Sequence, residues 1–431
     1  MVMKIACIGT GFVGVVTSAV LAKLGHTVAG LDIDEKKIAS LTEGKVPFYE
    51  PGLEELILST ISSQNLTFTS NYELAISGAD IVMIMVGTPS AADGQADLSY
   101  VYKAAESSAP HLKEGAIVVI KSTVPPGTNA KVSSIISGLT KVDFDIASVP
   151  EFLKEGTAVE DTLHPDRIVI GATNPKTIET LKELHKPLTD NIIVVSPESA
   201  QMAKYSANVY LAMRITFANQ IADLCEKNGA DVDEVLRGIG ADKRIGSHYW
   251  YPGLGYGGSC FPKDVKEIAA YAKSVGEAES IFIAVDDRNE NRIEKMMQKF
   301  DKFVNGFAGK SVAILGLSFK PNTNDTRVAP ALKVIPWLID HGAKVTATDP
   351  KAIEEIKPHL PGSVLYSPSA NKAINGAQVV MILVEWDEYK SLDFRELVSS
   401  MSKPSYLIDT RNLYTKDQIE GVGIAYRGIG K

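Results

Sequence analysis

Cysteine is scarce: Cys7, Cys225 and Cys260 are the three in a chain of 431 residues. They stand far apart and form neither a disulfide framework nor a CxxC metal pair, so any special thiol among them is special for its reactivity. Long apolar runs are missing too. The longest, such as 81–86 and 379–384, fall far short of the roughly 18 residues of a membrane span and read as buried strands. There is no basic excess: 44 Lys and Arg face 52 Asp and Glu, a net charge of −8, which leaves no field for a phosphate backbone and excludes a generic nucleic-acid binder. The opening MVMKIACIG has no charged region, apolar stretch and cleavage site of a secretory signal. The expectation is a cytoplasmic protein with no nucleic-acid, membrane or metal partner.

What is present is a parallel α/β pattern. KIACIG, TGFVG, VVTSAVLAKLG and HTVAGLDID read strand, glycine turn, helix, strand, and further β-rich runs follow at helix-length intervals. The order returns near the other end, where SVAILGL precedes a helix-length stretch and HGAKVTATDP, and GAQVVMILVE echoes GADIVMIMVG. The predicted fold is α/β: two Rossmann-like doubly wound lobes joined by a central helical domain with a long connecting helix. The expected domains are 1–196, 197–304 and 305–431. The connecting helix starts at the Ser-Pro of SPESAQ and stops at an Asn-Gly, about 30 residues or ~45 Å. It either offers an apolar stripe to a second subunit or buries that stripe within its own.

Gly9, Gly11 and Gly14, with Phe12 and Val13 between them, form GxGxxG after a strand and at a helix start, where backbone amides approach a pyrophosphate. Asp32 closes the second strand, placed to accept from a ribose diol and to repel a 2′-phosphate, so NAD is preferred over NADP. Lys36 and Lys37 either meet a 2′-phosphate or lie on a solvated helix face. The bland alternative is a Rossmann-like lobe with tight turns and no cofactor. The second lobe has GLSFKPNTNDTR instead of the fingerprint, which puts Lys320 and Arg327 after a strand, suited to a phosphorylated ligand or simply exposed on a loop.

Gly253, Gly255, Gly257 and Gly258 crowd before Cys260, and Pro262 opens a helix. Cys260 thus precedes a helix N-terminus with Lys263 nearby, two features that favour a thiolate, while Cys7 and Cys225 read as inert buried residues. Asp264, one turn on, is placed to hold a water. A thiol beside an NAD site points to more than alcohol oxidation: it adds to an aldehyde, the thiohemiacetal loses a second hydride, and the thioester is hydrolysed. Glu151 and Glu155 stack if their segment is helical, so that one activates the water. Thr123 ends a strand near the nicotinamide position. Lys204 and Asn208 share a face of the long helix, where a cation steadies a forming alkoxide. Each has a structural alternative, as cap, solvated acid or polar stripe.

GTGFVG, VGTP, STVPPGT, PEFLKEG, HPDRIVIG, AKYSAN, DKRIG, GYGGSCFPKD and GLSFKPNTNDTR occur in the order found in the nucleotide-sugar dehydrogenases, and the chain resembles that UDP-glucose/GDP-mannose dehydrogenase family over nearly its whole length. The resemblance implies oxidation of UDP-glucose to UDP-glucuronate with two NAD and one water, in a homodimer built on the central helix. It implies Cys260 as nucleophile, Lys204 and Asp264 for the alcohol proton, Asn208 and Thr123 for water and oxyanion, and Glu151 as the hydrolytic base. Asp32, Lys37, Thr88, Lys263 and Arg327 resemble NAD contacts, and Glu155 borders both ligands. Phe152, Leu153 and Lys154 fall with Glu151 in the substrate segment. Tyr249, Trp250, Tyr251, Pro252 and Gly253, with Gly257 and Lys320, resemble contacts to the UDP-sugar, and Arg244 resembles an arginine reaching it across the dimer. Arg214 and Gln220 stand where many relatives have Lys and Glu, without evident effect, and Tyr249 and Trp250 where they often have Phe and Leu. Rival readings are a dehydrogenase of GDP-mannose or a UDP-N-acetylhexosamine, a two-electron alcohol dehydrogenase that leaves Cys260 unexplained, and a silent nucleotide-sugar sensor. FPKD after the cysteine favours the UDP-glucose branch, and the intact Cys260, Asp264, Lys204 and Glu151 set argues against silence.

Overall fold

The near-continuous apolar strands demand cover on both faces, and they obtain it in two separate sheets. The computed structural model describes residues 2–277 and 280–431. The chain divides into two units, Met1–Ala207 and Asn208–Lys431, and the division falls inside one helix, Pro197–Asn228. That helix has 32 residues, close to the length expected from its Ser-Pro start and Asn-Gly stop.

In the N-terminal unit the described strands β1 (Lys4–Ile8), β2 (Thr27–Leu31), β3 (Leu66–Thr69), β4 (Ile81–Ile84), β5 (Ala116–Ile120), β6 (Phe144–Ser148), β7 (Ile168–Gly171) and β8 (Ile192–Val195) are ordered 3-2-1-4-5-6-7-8. The first six are parallel. β7 and β8 run parallel to each other, but β7 meets β6 antiparallel at Ser148 and Gly171. The order reverses between β1 and β4, and the carboxyl ends at that switch point form the natural ligand crevice. One buried layer, with Val15, Val16, Ala19 and Val20 of the first helix, covers one face, and a second, with Val101, Ala105, Val132 and Ile136, covers the other.

The C-terminal unit repeats the plan. Its strands β9 (Ser311–Leu315), β10 (Lys344–Thr348), β11 (Leu365–Tyr366), β12 (Val379–Ile382), β13 (Tyr406–Asp409) and β14 (Ala425–Arg427) are ordered 11-10-9-12-13-14, all parallel. The helices between 208 and 304 share its core: Ala218, Ala222, Val232, Met296 and Phe300 belong to the same buried cluster as Val312, Ile314 and Met381.

Candidate active site

In the N-terminal unit β1 runs through Gly9 into the helix Phe12–Lys23, whose N-cap Gly11 offers no capping side chain. Each glycine has its own reason. A Cβ on Gly9, at φ +96°, would lie 2.7 Å from the Met85 carbonyl oxygen, and one on Gly14 would lie 1.8 Å from the Gly9 oxygen. Gly11 faces open space, as a phosphate approach requires. Phe12 packs on Phe48, ring centroids 4.7 Å apart, and Val13 joins the same core. The Asp32 carboxylate accepts from the Thr10 amide and hydroxyl at 2.9 and 2.8 Å and from the Asp34 amide. Lys37 is not on a solvated face: its Nζ lies 2.9 Å from Asp32. Burial pushes the Asp32 carboxyl up, but Lys37 and the Thr10 donors outweigh it and hold it below the usual carboxylate range. Thr88 is buried and donates to the Thr123 carbonyl at 2.9 Å, tying together the turns after β4 and β5.

The segment from Glu151 to Glu155 is not helical, so the expected stacking of the two glutamates does not hold. The helix starts only at Ala158, because the buried Glu50 carboxylate captures the Gly156 and Ala158 amides at 2.6 and 2.7 Å and Gly156 turns at φ +83°. Glu151 instead folds back on its own backbone. Its Oε1 accepts from the Phe152 and Leu153 amides at 2.7 and 3.0 Å, and its Oε2 lies 2.8 Å from Lys121 Nζ. Burial raises this carboxyl, yet Lys121, the Phe152 amide and the charge of Lys204 together hold it below the usual range. Phe152 is stacked under Arg167, whose guanidinium carbon lies 3.9 Å from the ring centroid, with Lys204 Nζ at 5.2 Å. Lys154 turns outward to Asp161, and Leu153 packs against the sheet core.

In the C-terminal unit Cys260 is the N-cap of the helix Phe261–Ser274, with Pro262 in its first turn, and it is the exposed one of the three thiols. Its Sγ lies 3.6 Å from Ser259 Oγ. Burial pushes the Cys7 thiol up to about 11 and raises Cys225, so both are inert as expected. One turn beyond Cys260, Asp264 is 1% exposed and accepts from Asn208 Nδ2 at 2.5 Å. Lys263 Nζ lies 2.7 Å from Asp264 and 3.0 Å from Glu267, and these two acids raise its pKa against the effect of burial. Lys204 and Asn208, one turn apart on the long helix, are both buried.

The glycines before Cys260 exist for close approach. A Cβ on Gly257 would lie 2.3 Å from the Val328 oxygen, one on Gly258 2.7 Å from the Phe319 ring, and the Gly258 amide donates to the Arg327 carbonyl. The thiol loop is thus stitched to the loop carrying Lys320 and Arg327. Lys320 sits over Phe319, whereas Arg327 points outward in a fork to Asp325. Tyr249 adopts φ +62° and packs against Tyr251 and Phe261, and the Gly253 amide after Pro252 donates to Asn219 Oδ1. Arg244 reaches solvent, its side chain 88% exposed beside Asp242.

Residues 3–189 match the NAD binding domain of the UDP-glucose/GDP-mannose dehydrogenase family, 198–291 its central domain and 313–416 its UDP binding domain. The chain is 42% identical to UDP-glucose 6-dehydrogenase TuaD of Bacillus subtilis (strain 168) over 99% of its own length and 93% of that protein. It belongs to the UDP-glucose/GDP-mannose dehydrogenase family. It is likewise 42% identical to a UDP-glucose 6-dehydrogenase of Rhizobium meliloti (strain 1021), with 100% of each chain covered. A solved UDP-glucose dehydrogenase from Pyrobaculum islandicum superposes with a TM-score of 0.93 at 37% identity, covering 100% of this chain and 98% of that one. For a UDP-D-ManNAc dehydrogenase from Pyrococcus horikoshii the figures are 0.87 and 28%, with 99% of each chain covered.

Two further residues of this family member are not marked by any of the motifs above, and a third, Arg214, stood out only as a departure from relatives. Lys121 sits just past β5 and is buried, and a lysine after an apolar strand is the signal that could have found it. Arg411 follows β13, pairs with Glu385 and lies under Gly253; its position at a strand's carboxyl end marks it. Arg214 is not without effect. Its two terminal nitrogens donate to the Ile245 and Gly246 carbonyls at 2.9 Å each, and its guanidinium lies 4.0 Å from the Trp250 ring centroid, a fork a lysine does not reproduce.

Proposed function

We infer that the chain oxidises UDP-glucose to UDP-glucuronate with two NAD and one water, through a thiohemiacetal and a thioester on Cys260. The observation that carries the covalent part is an exposed thiol at a helix N-terminus, one turn from a buried carboxylate held by an asparagine. The residues of the first lobe fit NAD: the glycine cradle leaves Gly11 open to a phosphate, and Asp32 stands where a ribose diol binds. NAD, when bound, accepts one hydride in each of the two oxidations.

Lys204 and Asp264 manage the proton that leaves the C6 hydroxyl as its hydride departs. The Cys260 thiolate then adds to the aldehyde carbon, and Lys204 and Asn208 steady the oxyanion. Loss of the second hydride leaves a thioester. Water gives a proton to Glu151, its oxygen adds to the thioester carbonyl, the C–S bond breaks, and Cys260 leaves as thiolate. Thr123 with Asn208 places water and oxyanion, Glu155 borders both ligands, Lys263 and Arg327 border the cofactor, and Lys320, Gly257 and the 249–253 loop the UDP-sugar. We divide the labour among 1–196 for NAD, 197–304 for helical association and 305–431 for UDP.

The chain acts as a homodimer through its long helix. Tyr210, Phe217 and Leu224 repeat every seven residues along it and are 51%, 48% and 49% exposed, an apolar stripe that a second copy would cover. Arg244, held by the Arg214-clamped loop, then reaches the neighbouring sugar. A free, exposed nucleophilic thiol suits the reducing cytoplasm. The test is at Cys260: the Ala variant forms no acid, and the Ser variant stalls after little product. Full turnover by either removes the thioester route. Phe217→Glu converts the dimer to a monomer in light scattering; an unchanged dimer removes the stripe from the interface.

A further inference from the structure

We propose that Lys121 is a positioning residue for the hydrolytic water, acting through Glu151. The inference rests on the reading of Glu151 as the hydrolytic base and assigns to that step a partner outside the residues the mechanism uses.

The geometry is a count of acceptor positions. A carboxylate offers about four. Glu151 Oε1 has two taken by the Phe152 and Leu153 amides, at 2.7 and 3.0 Å, and Oε2 has one taken by Lys121 Nζ at 2.8 Å. One position on Oε2 is left, and its direction is fixed by where the ammonium sits. The lysine is fixed in turn: it is 8% exposed and directly follows β5. A water held at the remaining position is aimed by the backbone of one loop and the cation of another.

Charge points the same way. The groups that act on Glu151 are Lys121 after β5 and Lys204 on the long helix, both of which favour its ionised form. His185, on the helix Pro175–His185, senses both Glu151 and Lys121 and is neutral at pH 7, since burial pushes it down to about 4. Cys7 on β1, which also senses Lys121, is held as a thiol. Without Lys121 burial acts on Glu151 with only the Phe152 amide and Lys204 to oppose it, so the carboxylate takes up a proton at higher pH and ceases to accept one from water. The two hydride transfers need no proton at this atom and are spared.

The experiment compares Lys121→Met, Lys121→Arg and Glu151→Gln in rapid-mixing NADH traces across pH, with intact-mass detection of a sugar adduct on Cys260. For Lys121→Met the expected result is a burst of two NADH per site at near-normal rate. A steady state reduced at least about tenfold at pH 7 follows, with adduct on Cys260 and the acidic limb of the pH profile moved up by about one unit or more. Lys121→Arg restores the profile. Burst and steady state slowed together with the limb unmoved, or no change at all, would overturn the proposal, as would a Met variant that does not fold, because Lys121 then serves the fold. Glu151→Gln separates the two readings. If it hydrolyses normally, Glu151 is not the base; if it stalls with adduct while Lys121→Met behaves as wild type, only the role of Lys121 is lost.

Discussion

The two lobes share a plan and use one acid in different ways. Both sheets reverse order beside their first strand, and both first strands end in a left-handed glycine, Gly9 at φ +96° and Gly316 at +102°, where a Cβ would strike the neighbouring strand's exit. Both second strands are followed by an aspartate. Asp32 keeps its side chain 12% exposed at the crevice. Asp349 is buried and accepts from Leu317 N, Ser318 N, Ser318 Oγ, Lys351 N, Ala352 N and Trp386 Nε1. The fully buried Tyr389 closes the same corner through a hydrogen bond to the Thr348 carbonyl. An acid at one topological position thus stays open to the crevice in the first lobe and is a structural knot in the second. Topology places the crevice, and side chains decide its tenant.

The largest expected effect breaks the cradle. Gly14→Val puts a branched side chain where even a Cβ would meet the Gly9 oxygen at 1.8 Å, and NAD-dependent turnover should fall at least about 100-fold. Second is Asp349→Ala, which frees six donors and should cost roughly 3 kcal/mol or more in denaturant titration, with the KM for NAD unchanged. Asp32→Ala frees four donors at a partly exposed site, so it should cost less stability than Asp349→Ala but give about a tenfold shift in the NAD-to-NADP ratio of kcat/KM. Equal responses from the two aspartates would erase the comparison.

Acid sharpens it. His185 and His26, buried in the N-terminal unit, have folded pKa values below the ordinary 6.5, His185 at about 4, both through burial. The unfolded chain therefore binds these protons first. The neutral histidines add stability in full above pH 6.5, and it is lost as pH falls from 6.5 towards 4, by about 3 kcal/mol for His185. His248, His341 and His359 of the C-terminal unit are exposed. All three tryptophans, Trp250, Trp337 and Trp386, lie in that unit. Near pH 5, helical ellipticity should melt before tryptophan fluorescence, and coincident melting would contradict the assignment. The smallest effect is Lys320→Ala, which should raise the KM for UDP-glucose about tenfold, ~1.4 kcal/mol, and leave that for NAD alone.

Much of this was legible locally. The glycine fingerprint, Asp32 and the proline-started helix behind Cys260 are contiguous patterns whose chemistry dictates their spacing. The 32-residue helix declared itself through its ends. What stayed hidden is long-range. Glu50 caps amides 106 and 108 residues away, Lys121 meets Glu151 across two strand ends, and Arg214 clamps carbonyls on another segment. Glu151 and Glu155 read as a helical pair because their spacing allows it. The glutamate that delays the helix to Ala158 is far off in sequence, so spacing alone carried no sign of it.

The central claim is a four-electron oxidation that passes through Cys260, and its direct measure is the NADH formed at the endpoint with limiting UDP-glucose and excess NAD. Two NADH per sugar is the expected result. One NADH per sugar, with the aldehyde as product, would contradict the thioester route and leave the thiol at the helix start without a task.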